Sequence, residues 1–364
     1  MAPADHLPLH RAFPWQPFRL DALGLVTLLG AEEVSRAIGG LQHSTITEYL
    51  PLMGAYLIAA NRFTDPLPGY KAYNITDGII PPALNGAFTR WLDNHIYSSS
   101  RRDSSITTIT WTLAPEQDLA TSWRRRCPPL MISILLNSIL LVICILLADW
   151  YGIANTVGMI LSVVVRWFLL RQNRLKLKEY AEKAREKFNA QNPNPEDLQE
   201  KILLVEPPSS TKLIVNKFPK ALLFCFIFPL ASSHQQSYRF ARLVGWLAFS
   251  IHVICIGQSS LIAQLMSVGL LIAGTVGAIF RMGCDESEFG GLLKATSTSS
   301  PPEQQRRDCF AELDPTPDEE RALEAWFLLP LRGVSATNTF YTAYEKKKPA
   351  HPAAIIQQAA SKTQ

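Results

Sequence analysis

The stretch PPLMISILLNSILLVICILLADWYGIANTVGMILSVVVRWFLL, residues 128–170, decides the fold class of this chain. A helix needs about 20 mainly apolar residues to cross roughly 30 Å of hydrocarbon. Residues 128–148 and 153–170 each meet that requirement, and the four residues between them are enough only for a tight turn. The stretch therefore predicts a transmembrane hairpin.

A second apolar pair follows at residues 238–257 and 260–280. Lys and Arg are frequent at the open ends of both pairs, at residues 124–126, 171–187, 239–242 and 281. Basic residues close to the ends of membrane helices stay in the cytosol. The sequence therefore predicts four crossings, arranged as two hairpins, with both chain termini in the cytosol.

A shorter apolar segment, ALLFCFIFPLASS at residues 221–233, precedes the second hairpin. Its apolar core contains Pro229 and is too short to cross a bilayer. We expect a re-entrant or interfacial segment that packs against the membrane helices. The alternative is a fifth crossing, which would place the tail outside the cytosol.

These features predict a mainly α membrane protein with four transmembrane helices, one short re-entrant or interfacial segment, a small β-hairpin and mixed α/β cytosolic regions. The predicted division is an N-terminal cytosolic region (1–127), the first transmembrane hairpin (128–170), a basic helix and linker (171–200), a β-hairpin (201–218), the re-entrant segment with the second transmembrane hairpin (219–281), and a cytosolic tail (282–364) with a helix near 317–328.

Local patterns outside the membrane predict further elements. Residues 19–38 and 45–60 have helical periodicity, residues 105–113 alternate as a strand does, and the helix after 170 continues through Lys187. Residues 296–302 and the tail from Lys346 onward have the composition of flexible segments.

The tail helix has a clear start signal. Thr316 is expected as N-cap, Pro317 as the first helical residue and Glu319 as the partner that completes a capping box. Ala322, Leu323, Trp326 and Phe327 then form one apolar face, which predicts that the helix docks on its own domain or on the membrane surface.

Composition excludes several classes of function. The chain has 364 residues, a hydrophobic content of 48% and a net charge of +4, and it lacks the basic and aromatic pattern of nucleic-acid readers. Its six cysteines form no closely spaced pair, which argues against a disulfide framework or a zinc site. No phosphate loop, dinucleotide fingerprint or metalloprotease motif occurs in the sequence. We expect no cofactor, no metal and no catalytic residue.

The predicted spans contain few polar residues and no Asp or Glu at residues 130–148, 153–170, 243–257 and 261–280. Ion-coupled carriers usually hold carboxylates at mid-membrane, so four such helices make a poor carrier unless they oligomerise. Arg166 is near enough to a span end to snorkel to the headgroups. His252 and Gln264 are expected to pair across the second hairpin. The intramembrane polar candidates are His252, Gln264, Arg166, Asn155 and Asn137.

Small residues recur every fourth position in the last span, at Gly269, Ala273 and Gly277. Such a face permits close approach of two helices. It predicts packing within the chain, with homodimerisation as the alternative.

A glycosylation sequon occurs at Asn74. It is usable only if this region is lumenal, whereas the charge rule assigns the region to the cytosol. A chance match is therefore the favoured interpretation.

Residues 201–348 resemble a group of fungal multi-pass integral membrane proteins of no assigned activity. The resemblance rests on Tyr238-Arg239 before Gly245-Trp246, His252-Val253-Ile254, Gly283-Cys284-Asp285-Glu286-Ser287 and Leu328-Leu329-Pro330. It implies membrane residence and no catalytic residue.

Three functions stay open from sequence. The first is a polytopic membrane protein with an interaction, scaffold or pathway-accessory role, whose partners are the lipid bilayer and other proteins or a second copy of the chain. The second is an oligomeric small-solute transporter or channel. The third is a membrane enzyme that acts on a lipophilic substrate through His252 or the group from Cys284 to Glu286.

Overall fold

Four helices of the described chain are long and apolar enough to cross a membrane. In this computed structural model they are Cys127–Leu146, Trp150–Lys183, Gln235–Ile256 and Leu261–Ile279, and they confirm the four predicted spans by length and composition. The structure describes residues 31–98, 106–113, 119–191, 200–207, 213–219, 222–230, 234–299, 306–333 and 337–348.

The described elements are mostly helical, with one mixed sheet. The helices are α1 Ala31–Gly39, α2 Ala55–Ala60, α3 Gly86–Ser98, α4 Leu119–Leu146, α5 Trp150–Gln191, α6 Leu223–Ile227, α7 Gln235–Ile256, α8 Leu261–Ile279, α9 Arg306–Glu312, α10 Pro317–Ala325 and α11 Asn338–Lys347. The strands are β1 Lys71–Asn74, β2 Ile106–Leu113, β3 Glu200–Glu206, β4 Leu213–Pro219, β5 Glu288–Phe289 and β6 Leu293–Ser299. We refer to α4, α5, α7 and α8 together as the bundle.

The two turns of the bundle lie at the same end of it. The Asp149 carboxylate accepts hydrogen bonds from the backbone N–H of Gly152 (2.8 Å) and from that of Ser260 (2.6 Å). The Ser260 hydroxyl in turn caps α8 by accepting from the N–H of Ala263 at 3.4 Å. One carboxylate thus joins the turn after α4 to the turn after α7.

The sheet forms at the other end from chain segments that are far apart in sequence. Its strand order is β1-β3-β4-β2-β6-β5, and the β2–β4 pair alone is parallel among the described pairings. The strand predicted at 105–113 is confirmed as β2, and the predicted hairpin is confirmed as β3 and β4, at the centre of a larger sheet. The prediction of a flexible segment from residue 296 is wrong as far as Ser299, because β6 pairs with β2 there.

Helices cover both faces of the sheet. One face packs on α3, α6 and the sheet-side ends of α5 and α7 around Trp91, Trp111 and Phe226. The opposite face packs on α9, α10 and α11 around Leu204, Val215 and Phe310. The sheet therefore separates α9–α11, which we call the C-terminal layer, from the bundle.

A single helix connects the bundle to the sheet. α5 has 42 residues, which corresponds to roughly 63 Å, and it runs past the predicted boundary at residue 170 without interruption. Leu177 and Ala181 on this extension are buried in the core of the sheet domain. The predicted continuation of the helix through Lys187 is confirmed.

The segment at 221–233, predicted to be re-entrant or interfacial, packs against the sheet core where the structure describes it. Within the described part of that range, α6 is only five residues long, too short for a fifth crossing. Its inner face carries Phe226, whose ring centroid lies 4.7 Å from that of Phe88 and 5.0 Å from that of Trp111 in the sheet core. Phe224 and Phe228 face outward, and an interfacial position for them stays a prediction.

Two other local predictions need correction. The range 45–60 is helical only from Ala55, and the range 19–38 is described only from residue 31, where α1 begins. Lys346 and Lys347 belong to α11, and the Lys348 ammonium donates to the Pro315 carbonyl at 2.6 Å, so this part of the tail is ordered. The capping box of Thr316 and Glu319 is confirmed.

Candidate functional site

A non-helical segment, residues 44–54, inserts between the helices of the bundle; we call it the wedge. Its backbone is bonded by side chains from three of those helices. The N–H of Met53 donates to the Thr275 hydroxyl (2.9 Å), and the Ser133 hydroxyl donates to the Tyr49 carbonyl (2.6 Å). Irregular backbone at membrane depth is tolerated only where protein surrounds it. The wedge is therefore irregular backbone whose polar groups are bonded by side chains of the apolar helices.

Arg166 supplies the third set of bonds. Its guanidinium donates to the carbonyls of Glu48 (2.7 Å) and Leu50 (2.6 Å), and the residue is 3% exposed. The predicted snorkelling is wrong, because the guanidinium is buried and is bonded to carbonyl oxygens of the wedge.

Small residues of α8 make room for the wedge. A Cβ added to Gly274 would lie 2.2 Å from the Pro51 carbonyl oxygen, and one added to Gly277 would lie 2.6 Å from the Thr47 methyl. A Cβ at Gly269 would meet nothing within 4 Å, and Ala273 is exposed. The predicted small-residue face is thus divided: Gly277 packs on the wedge, whereas Gly269 and Ala273 face away from the described chain.

An ion-pair cluster holds the start of the wedge. Glu48 accepts from Arg174 at 2.6 Å and lies 3.1 Å from the His43 ring nitrogen. Burial alone would raise the pKa of Glu48, but the charge of Arg174 and the hydrogen bonds of His43 and Arg174 lower it to about 2. Arg174 also donates to the carbonyls of Leu41 (3.1 Å) and Gln42 (2.8 Å). The cluster therefore joins α5 to the chain before and within the wedge.

A polar network connects three helices of the bundle near its turns. The Asn155 amide nitrogen donates to the Ser267 hydroxyl at 2.9 Å, and its amide oxygen lies 2.6 Å from His252 Nδ1. Since that oxygen can only accept, Nδ1 carries the proton and Nε2 is the unprotonated nitrogen. Asn155 of α5 thus joins His252 of α7 to Ser267 of α8.

The predicted pairing of His252 with Gln264 is wrong. Gln264 donates its amide to the Ser259 carbonyl at 2.9 Å within its own turn, while Asn155 occupies the proton-bearing side of His252. Sequence reasoning missed Ser267, because a single serine in an apolar helix gives no pattern that distinguishes it.

Three buried polar atoms of the bundle have no hydrogen-bond partner among the described residues: His252 Nε2, Gln264 Oε1 and Asn137 Oδ1. The Asn137 amide nitrogen donates to the Ser133 carbonyl at 2.8 Å, one turn away on the same helix. Within the described ranges, no group of three His, Cys, Asp or Glu side chains is placed to hold a metal ion. The described part of the bundle therefore presents three buried hydrogen-bond acceptors and no cluster of metal ligands.

Asn74 lies at the end of β1 and is 4% exposed. Its amide nitrogen donates to the Asp77 carboxylate at 2.8 Å. A glycan on this nitrogen would require the bond to break and the strand end to open, so the folded domain offers no accessible acceptor here.

An apolar groove of about 520 Å³ opens on the C-terminal layer. Its lining residues are all apolar and come from α9, α11 and the segment that follows α10; they are Phe310, Phe327, Leu328, Leu329, Pro330, Leu331 and Phe340. Phe327 is 83% exposed and Leu331 is 50% exposed. The groove is on the side of the sheet opposite the bundle.

The predicted apolar face of α10 includes one wrong member. Leu323 is buried, and the Trp326 ring packs 5.4 Å from that of Tyr73, so the helix docks on its own domain. Phe327 departs from this face because its φ of 58° turns the chain away from the helix.

Phe327 ends α10 in a position that favours glycine. Its N–H donates to the Glu324 carbonyl (3.0 Å), and the N–H of Leu328 donates to the Leu323 carbonyl (2.9 Å). These two bonds form a Schellman motif, whose left-handed residue is usually glycine. A side chain in this conformation costs roughly 1–2 kcal/mol. The chain therefore has an exposed phenylalanine at a position where the backbone conformation favours glycine.

Acidic residues gather beside the groove. Arg332 contacts Glu320 (2.5 Å), Glu324 (3.1 Å) and Glu345 (3.4 Å), and its guanidinium lies 4.5 Å from the centre of the Tyr341 ring. Because three carboxylates surround this one cation, the rim near Leu331 has an excess of negative charge that Lys348, bonded to Glu320 at 2.9 Å, offsets only in part.

Comparisons of the chain with known protein families, curated proteins and solved structures found no match. The candidate sites therefore rest on the geometry of this chain: the wedge, the polar network of Asn155, and the apolar groove.

Proposed function

We propose that the chain is a polytopic membrane protein in which the bundle serves as the membrane anchor and the sheet domain has an interaction or scaffolding role. The observation that carries this proposal is that polar side chains of the bundle form hydrogen bonds within the protein. Arg166 bonds the wedge, and Asn155, His252 and Ser267 bond one another. These contacts stabilise a fixed arrangement of helices.

The charge distribution favours anchoring over transport. Residues 130–148, 153–170, 243–257 and 261–280 contain no Asp or Glu. Ion-coupled carriers usually place carboxylates at mid-membrane, where they bind the coupling ion. The enzyme alternative has less support than the anchor, because His252 is 6% exposed and its hydrogen-bond partner among the described residues is the neutral amide of Asn155.

The proposed membrane topology is based on the two ends of the bundle. The bond between Asp149 and Ser260 supports a position of both turns on one side of the membrane. The sheet lies at the opposite end of the bundle and is built from segments before, between and after the hairpins. Arg171, Arg239 and Arg281 are at that opposite end. By the charge rule the sheet domain and both termini are cytosolic.

The substitution His252→Gln tests this assignment. Glutamine can still donate to Asn155, but it cannot carry a proton as an acid–base group. If the bundle is an anchor, the variant co-purifies from native membranes with the same proteins, in the same amounts by quantitative mass spectrometry, as the unaltered chain. Loss of a solute flux or a lipid conversion in this variant, with its abundance and its associated proteins unchanged, would contradict the anchor role.

A second candidate function is self-association, which the transporter alternative requires. It is favoured by the outward direction of Gly269 and Ala273 on α8, since small residues on a lipid-facing surface allow a second helix to approach closely. Native mass spectrometry from nanodiscs tests it: a dimer in the unaltered chain that Gly269→Leu converts to monomer supports self-association, and a monomer in both removes it.

A further inference from the structure

We infer that the apolar groove of the C-terminal layer is a docking site for a protein segment that is apolar at its centre and basic at its flank. This inference rests on the proposed interaction role and names the kind of partner. The three observations that carry it are the position of the groove, the conformation of Phe327 and the charge of the rim.

The position of the groove excludes membrane lipid as its occupant. The C-terminal layer packs on the face of the sheet that is turned away from α5 and α7, around Leu204, Val215 and Phe310. Acyl chains surround the bundle, on the far side of the sheet. Phe327 and Leu331 are therefore exposed to water, where apolar surface favours a protein ligand.

A glycine at position 327 would end α10 with the same backbone hydrogen bonds and with less conformational strain than Phe327. The two hydrogen bonds of the Schellman motif are made by backbone atoms and need no side chain. The ring is 83% exposed, so little of its surface is buried within the chain. Strained residues of this kind are found where function maintains them, and a ring that projects over an apolar groove is suited to contact with a bound segment.

The rim specifies the charge of the partner. Glu324 and Glu345 are within 3.4 Å of Arg332, next to Leu331 in the groove lining. Together with Glu320 they carry three negative charges, one more than the positive charges of Arg332 and Lys348 that contact them. A basic residue that follows the apolar part of the partner would meet these carboxylates, whereas an acidic residue would be repelled.

A random library of 12-residue peptides displayed on phage, selected against the full chain in nanodiscs, tests the inference. We expect enrichment of peptides with an apolar centre and a Lys or Arg flank. The enriched peptides, made synthetically, should bind Phe327→Gly at least tenfold more weakly than the unaltered chain, and replacement of their basic flank by Glu should weaken binding as well. Enriched peptides with acidic flanks, peptides that bind both chains equally, or no enrichment would overturn the inference.

Thermal unfolding of the same variant provides the control for misfolding. Phe327→Gly should unfold at a temperature equal to or above that of the unaltered chain, while Phe327→Ala, which removes the ring and keeps the strained conformation, should lose peptide binding without a gain in stability. A lower unfolding temperature of Phe327→Gly would make the ring a packing residue and overturn the inference.

A photoreactive phenylalanine analogue at position 327 distinguishes other occupants. A cross-link to the peptide supports the inference, and a cross-link to lipid or to residues 349–364 of the same chain overturns it. Failure of these tests leaves the proposed anchoring and interaction role to be judged separately by the His252→Gln experiment.

Discussion

At the scale of single residues, Asn155 is the centre of the polar contacts inside the bundle. It uses its amide oxygen for His252 on α7 and its amide nitrogen for Ser267 on α8. Removal of such a shared partner leaves two buried groups unsatisfied, which costs more than the loss of one bond. Asn155 is therefore the polar residue whose loss should affect the bundle most.

A double-mutant cycle tests the contact of Asn155 with His252. We expect Asn155→Ala and His252→Ala each to lower the free energy of unfolding in mixed micelles, with a coupling energy of about 0.6 kcal/mol, the average found in double-mutant cycles of a membrane protein. The matched control is the pair Asn137 and His252, because Asn137 bonds Ser133 on its own helix. Coupling equal in both cycles would contradict the network.

Glu48 gives the stability of the wedge a defined pH dependence. Its pKa in the folded chain, about 2, is below the ordinary value of 4.5, so the carboxylate stabilises the fold above pH 4.5 and loses this effect as the pH falls toward 2. At about 1.4 kcal/mol for each pKa unit, the contribution is on the order of 3 kcal/mol at most.

The comparison of the unaltered chain with Glu48→Gln isolates this contribution. We expect the difference in their free energies of unfolding to be largest near pH 6 and to shrink steadily between pH 4.5 and pH 2, because the protonated carboxyl resembles the amide. His43 and Arg174 face Glu48 in both chains. A difference that does not change over this interval would show that the ion pairs of Glu48 do not stabilise the fold.

The sequence predicted the polar residues of the bundle more readily than it predicted their hydrogen-bond partners. His252, Asn155, Arg166 and Gln264 are conspicuous because polar side chains are rare in apolar helices. Their partners depend on the crossing of α5 with α7 and on a wedge from far earlier in the chain. Spacing along one hairpin carries no information about either, which is why the pairing of His252 with Gln264 was wrong.

At the scale of elements, the wedge occupies the space between the helices of the bundle. It enters where Gly274 and Gly277 leave space, and Arg166, Ser133 and Thr275 bond its backbone. The sequence signals for helix ends were sufficient for α10, where Thr316 and Glu319 act locally. They were insufficient for residues 44–54, because the helix residues that bond the wedge, Ser133, Arg166 and Thr275, are distant from it in sequence.

An engineered disulfide tests the position of the wedge. The Thr47 Cβ lies 3.8 Å from a Cβ built on Gly277, which matches the mean separation in natural disulfides. We expect Thr47→Cys with Gly277→Cys to oxidise readily in the full chain, as detected by mass spectrometry of unreduced peptides. Thr47→Cys with Gly269→Cys is the control and should not form the bond. Similar yields in the two variants would contradict the inserted wedge.

At the scale of the whole molecule, the fold has three parts in series: the bundle, the sheet and the C-terminal layer. α5 joins the first two, and the sheet carries α9–α11 on its far face. Amino-acid composition was enough to predict the four long helices, because apolar length is a local property. The size of the sheet was not predictable in this way, because β1, β2 and β6 are short or polar and pair across long distances in sequence.

The most direct test of a membrane-anchored domain is to ask whether the two ends of the bundle are on opposite sides of the membrane. Two exposed positions are suitable for labelling: Gln258 at the turn after α7 and Leu331 in the groove. The variant Cys127→Ser serves as the background, because Cys127 is the exposed thiol among the described cysteines. In sealed, uniformly oriented vesicles, a membrane-impermeant maleimide should label either Gln258→Cys or Leu331→Cys but not both, and it should label both after detergent is added. Labelling of both before detergent would contradict the account.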